Sequence, residues 1–106
     1  MSKAKIINDA LRGFTDVLGL SLMIDPVSGK YQLTLELADV RSMSTLLRCA
    51  DVSNLCLSAF GGGLTQFLHF QCVDVRSQQL DRIALRFSDD KGETVVFDCA
   101  DCEVTS

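Results

Sequence analysis

No apolar run in this chain of 106 residues reaches the length of a membrane-spanning helix. The opening stretch, MSKAKIINDALRG, is polar and amphipathic where a secretory signal needs a continuous apolar block. Both absences lead to the expectation of a cytoplasmic chain with no membrane contact. Histidine occurs once, as His69 between Leu68 and Phe70, and nothing in the sequence places a nucleophile beside it. A Ser/His/Asp or Cys/His catalytic set is therefore not expected. No lysine-serine or lysine-threonine pair follows Gly61, Gly62 and Gly63, and no βαβ pattern surrounds them, which argues against phosphate-loop and dinucleotide sites. Bases are short too. Ten Lys and Arg against 14 Asp and Glu leave a net charge of -4, which argues against a general nucleic-acid binder. No catalytic residue and no cofactor is assigned.

What is present fits one domain spanning 1–106, long enough to bury a core without disulfides or a metal. The five cysteines (Cys49, Cys56, Cys72, Cys99, Cys102) are odd in number and follow no framework spacing. In a reducing compartment they read as free thiols that pack like small apolar residues. Cys99-Ala100-Asp101-Cys102 has the spacing of a thiol redox motif or half a zinc site, so Cys99 and Cys102 are the candidate metal ligands. Zinc needs two further ligands, and no second CxxC exists. In a regular strand the two sulfurs would also point to opposite faces unless a bulge intervened. Buried thiols are the favoured reading.

The hydrophobic pattern changes period once. Ile6, Ile7, Ala10, Leu11, Phe14, Val17 and Leu18 recur at three-and-four spacing, predicting an amphipathic helix over about 2–18, with Gly19 ending it. From there to about residue 104 the pattern is that of strands. Leu20–Ile24 and Tyr31–Leu37 flank Asp25-Pro26-Val27-Ser28-Gly29 and predict a hairpin, its second strand half-buried with Tyr31, Leu33, Leu35 and Leu37 on one face. Further strands are expected over Thr45–Ala50, Leu55–Leu57, Leu64–Val75 (the longest), Ile83–Phe87 and Thr94–Val104. Asp89, Asp90 and Glu93 read as a solvated hairpin tip, and Arg82 or Arg86 as partners for Asp98 or Glu103. Asp39, Asp51, Asp74 and Asp101 each follow an apolar run, as carboxylates that meet turn amides would. The expected fold is α+β, mainly antiparallel β: about seven strands in a sandwich or curved sheet, with one N-terminal helix.

From Phe87 onward six acids stand against one base, so the C-terminal region carries most of the negative charge. Asp98, Asp101 and Glu103 are the candidate contacts for a basic protein partner. His69 on its strand and the Gly61-Gly62-Gly63 loop are further candidate binding residues. Backbone geometry, as a sheet crossing, a bulge or a close-packed loop, is the preferred explanation of the glycines.

Val52-Ser53-Asn54-Leu55-Cys56-Leu57, Phe60-Gly61-Gly62-Gly63 and Phe97-Asp98-Cys99 together resemble motifs of small β-rich bacterial proteins grouped with immunity proteins of polymorphic toxin systems. That resemblance covers about 46–104 and implies inhibition by binding, with no catalytic residue. Ile7 to Leu37 also looks like the opening helix and strand pair of small acidic type III secretion chaperones, which implies a dimer. The chain departs from that pattern after Val40, where strands replace the expected helices. Both resemblances point to a non-enzymatic protein-binding domain, monomeric or homodimeric.

Overall fold

A computed structural model describes residues 2–58, 60–75, 84–89 and 94–105. The helix α1 spans Lys3–Leu11, seven residues shorter at its end than the period predicts. The Ser2 hydroxyl caps it by accepting from the Lys5 N–H at 3.2 Å. Its stop is Gly13, which takes φ 86 and turns the chain out of the helix. Val17 and Leu18, assigned to the helical stripe by spacing, belong instead to the first strand. Ala4, Ile7 and Leu11 form the buried face.

Among the described residues eight strands follow: β1 Asp16–Ile24, β2 Tyr31–Ala38, β3 Ser44–Leu57, β4 Thr65–Gln66, β5 Phe70–Asp74, β6 Leu85–Asp89, β7 Val95–Cys99 and β8 Asp101–Thr105. All pairings are antiparallel, in the order β4-β1-β2-β3-β7-β6-β5, with β8 beside β3. The predicted α+β class with a mainly antiparallel sheet is observed, and of the two expected forms the curved sheet is the one adopted.

The curvature follows from connectivity. Seven strands spaced about 4.8 Å apart would span about 29 Å if flat. The terminal strands β4 and β5 are joined through residues 67–69 alone, which limits their ends to about 14 Å. The sheet must therefore curl until its two ends nearly meet. Much of the bend is made in β3, which carries left-handed residues at Asp51 (φ 55) and Asn54 (φ 56) where its register shifts. Asp and Asn tolerate this conformation better than most side chains. The two short strands expected over Thr45–Ala50 and Leu55–Leu57 are one bent strand instead.

Leu33, Leu35 and Leu37 of β2 alternate inward as predicted and are fully buried. Opposite them, Phe67, Phe70, Phe87 and Phe97 stack in series, with ring centroids 4.4, 5.5 and 4.9 Å apart. The helix closes the core from one side. Its Asn8 side chain donates to the Cys72 carbonyl at 2.9 Å and accepts from the Cys72 N–H at 2.7 Å, imitating a neighbouring strand along the edge of β5.

The expected strand Leu64–Val75 is divided in two. Asp89 is the cause. Its carboxylate accepts the N–H of Leu68 at 3.2 Å and of His69 at 2.7 Å, along with the Thr94 hydroxyl at 2.9 Å. Those two amides are turned from a ladder toward a buried side chain, and the link between the sheet's ends is held there. Asp89, expected at a solvated tip, is 1% exposed. Asp90 and Glu93 lie outside the described residues, as do Arg82 and Ile83.

Candidate functional site

Two features distinguish the surface and the core: an open strand edge and a cluster of thiols. The edge belongs to β1. β4 pairs with it only at Asp16↔Gln66 and Val17↔Thr65. Pairing ends there because the chain leading into β4 passes through Gly61, Gly62 and Gly63, all at positive φ (100, 73 and 123). A Cβ at any of the three would meet nothing within 4 Å, so the glycines supply backbone conformation and not close packing. The chain thus leaves β1 after two residues. Among the described residues, 18–24 of β1 have no strand partner on that side.

This open stretch reads Leu18-Gly19-Leu20-Ser21-Leu22-Met23-Ile24 and holds no charge and no proline. Leu18, Leu22, Met23 and Ile24 are each 44–67% exposed. Asp16 and Asp25 stand at its two ends. Asp16 accepts from the Gln66 side chain at 2.8 Å. The Val27 N–H, bonded at 2.9 Å, and Ser28 hold the Asp25 carboxyl below its ordinary range. An open groove of about 440 Å³ lies across β1, β2 and β3, on the paired side of β1, lined by Leu22, Tyr31, Val52 and Leu55 among others. The contrast with the other end of the sheet is informative: there Asn8 occupies the edge of β5, and here nothing described covers β1. Sequence reading missed this edge, because an alternating pattern reports a strand's faces and not whether its edges are paired.

The predicted binding residues do not form one surface. Asp98 is 2% exposed and bonded to Arg86 Nε at 2.7 Å and to the Asn54 side chain at 2.9 Å. Burial alone would raise its pKa, but the hydrogen bonds from Arg86 and Asn54 outweigh burial and hold it low. Arg86, proposed as its partner from spacing, is that partner. Asp101 is exposed and meets Lys3 at 2.9 Å, a contact that raises the lysine's pKa against its partial burial. Glu103 is exposed, directly opposite Arg48 in the β3–β8 register. His69 and the three glycines are exposed on the link and loop around β4, away from the acidic strand. Of the aspartates expected to cap turns, Asp39 does so, accepting the N–H groups of Arg41 and Met43 at 2.9 and 3.0 Å. Asp101 instead pairs with Lys3, and Asp51 takes the left-handed conformation where the β3 register shifts.

The thiols come from four strands. Cys49, Cys72, Cys99 and Cys102 are all buried, while Cys56 is exposed. A bend at Ala100 separates β7 from β8, so Cys99 and Cys102 both turn inward, the case that regular alternation would forbid. The neighbouring thiols of Cys49, Cys72 and Cys99 lower the pKa of Cys102, with Lys3 adding a smaller contribution. The same neighbours push Cys49 and Cys72 up, and Cys99 up to about 12. Among the described residues no group of three or more His, Cys, Asp or Glu is arranged to hold a metal ion. None of the described helices is long and apolar enough to cross a membrane.

Comparison with known proteins finds no matching family model, curated protein or solved structure.

Proposed function

We propose that this protein is a non-enzymatic binding domain that takes an extended segment of another protein as an added strand along β1. The observation that carries the reading is the uncharged, exposed edge over 18–24. Exposed edges are normally blunted by lysine, proline or a covering element, because unpaired amides and carbonyls invite another strand. Among the described residues this one has no lysine, no proline and no covering element over 18–24. Main-chain hydrogen bonds would give affinity, and the exposed Leu18 and Leu22 would give selectivity for apolar side chains. Asp16 and Asp25 at the two ends favour a segment with a basic residue at each end. The basic partner inferred from composition is thus assigned to β1 and not to Asp98, whose charge is already answered within the fold.

An immunity-like inhibitor of a bacterial toxin, acting in the cytoplasm, is one form of this activity. Five unpaired cysteines accord with a reducing compartment. A homodimer is the second reading, favoured by one feature: an edge without charge meets no repulsion when it pairs antiparallel with its own copy.

The test is a Ser21→Lys/Met23→Lys double variant, both sites being exposed. Co-purification from the native host and sedimentation of the pure protein are compared with wild type. Loss of a stoichiometric partner in the variant supports strand addition, and a wild-type dimer that becomes monomeric supports the second reading. Equal partner recovery and equal mass in both proteins would exclude both uses of β1.

A further inference from the structure

Independently of the β1 edge, we propose that Cys102 and Cys49 form a dithiol site that a small hydroperoxide oxidises to an intrachain disulfide. Three observations place the site. The two residues are directly opposite each other in the β3–β8 register. Directly opposed residues on antiparallel strands have Cα atoms about 4.5–5.5 Å apart. That falls within the span of about 4.4–6.8 Å that a disulfide bridges. Both side chains also belong to the same buried core cluster. Finally, Cys49 and Cys102 belong to the lining of one cavity of about 340 Å³, whose rim carries Lys3, Arg48, Asp101 and Glu103.

The chemistry follows from the lining of that cavity. A thiolate is the nucleophile in sulfur oxidation, and it forms where a nearby cation stabilises it. Lys3, held by Asp101 at 2.9 Å, shares the cavity lining with Cys102. Cys102 and Cys49 are only 4% and 2% exposed, which selects a small oxidant over a bulky one.

In the first step the Cys102 thiolate attacks the distal oxygen of the hydroperoxide. An S–O bond forms and the O–O bond breaks. Sulfur gives up two electrons, and the departing alkoxide or hydroxide takes a proton from solvent, leaving a sulfenic acid. In the second step the Cys49 sulfur attacks the sulfenic sulfur. The S–S bond forms, the S–O bond breaks, and water leaves with the Cys49 proton. The sum is two thiols and one hydroperoxide giving a disulfide, an alcohol or water, and a second water. The disulfide would tie β3 to β8, and a thiol reductant reverses it.

Cys56 provides an internal control because it is exposed and stands outside the cluster. If exposure governed reactivity it would be consumed first. The full-length wild-type protein is purified without chelator, assayed for bound zinc, and treated with one equivalent of hydrogen peroxide. It is then alkylated and mapped by mass spectrometry without reduction. The expected result is a loss of two mass units, a Cys49–Cys102 cross-link, Cys56 still alkylated, and full reversal by dithiothreitol. Cys49→Ser should halt the reaction at a sulfenic acid on Cys102 that dimedone traps, and Lys3→Gln should slow the wild-type reaction severalfold. The wild-type map stands by itself if either variant fails to fold. Oxidation of Cys56 first, a cross-link to Cys72 or Cys99 instead, or one zinc per chain with the cluster unreactive would each overturn the proposal.

Discussion

Removing the Asp89 carboxylate should loosen the sheet at the point where its ends approach. In Asp89→Ala the N–H groups of Leu68 and His69 lose their acceptor, and the Thr94 hydroxyl loses a partner. Hydrogen bonds to a charged acceptor contribute about 1.5–3 kcal/mol each, and a neutral one about 1 kcal/mol. Leu68 and His69 have exposed side chains, so water can reach part of the vacated space and the lower end of that range applies. The expected loss is about 3–4 kcal/mol, a large share of the roughly 5–15 kcal/mol that holds a domain folded. Asp89→Asn keeps the shape but turns a donor toward backbone donors, and should cost about 2 kcal/mol. Thr94→Ala removes a single bond and should cost about 1 kcal/mol. Equilibrium urea unfolding followed by circular dichroism measures all three, with an unchanged slope confirming that stability alone has moved. If Asp89→Ala falls within 1 kcal/mol of wild type, or matches Thr94→Ala, the carboxylate does not hold the link and the reasoning about curvature fails.

Gly62→Val should cost about 1 kcal/mol or more, because φ is 73 there and open space around the position leaves conformation as the main penalty. Gly62→Asn should cost less, and thermal melts of the two variants check the order. Phe87→Ala, at the middle of the aromatic stack and fully buried, should cost about 3–5 kcal/mol by urea titration, against roughly 1 kcal/mol for Phe87→Leu. Asp98 makes stability depend on pH. Its folded pKa lies below the ordinary 3.8, so near that value the unfolded chain binds more protons. The contribution is therefore complete above the unfolded pKa and is lost as pH falls through the depressed folded value. Asp98→Asn should flatten this acid limb while lowering stability at neutral pH by about 1–3 kcal/mol, read from urea midpoints at both pH values.

Local pattern by itself determined a good deal of this protein. Alternation at Leu33, Leu35 and Leu37 identified a buried strand face, Asp25-Pro26 located the first hairpin loop, and spacing offered Arg86–Asp98 among four possible pairs. These are short-range properties, set by side-chain period and turn chemistry. The helix end was misplaced for a related reason. An apolar period of three and four continued through Phe14, Val17 and Leu18, while Gly13 stopped the helix by its backbone angle alone.

Tertiary structure decided what depends on distant partners. The three glycines could be recognised as unusual, but only the sheet order shows that they release the chain from β1 and leave its edge open. Asp89 read as solvated until the link between β4 and β5 came to lie over it, 20 residues away in sequence. The four buried cysteines are scattered between residues 49 and 102, and an odd count without a framework gave no reason to join them. They meet because β3, β5, β7 and β8 curl around one interior, and because the bend at Ala100 turns both cysteines of the CxxC the same way. Period tells which way a side chain faces. Which side chains share a space is decided by the closure of the sheet.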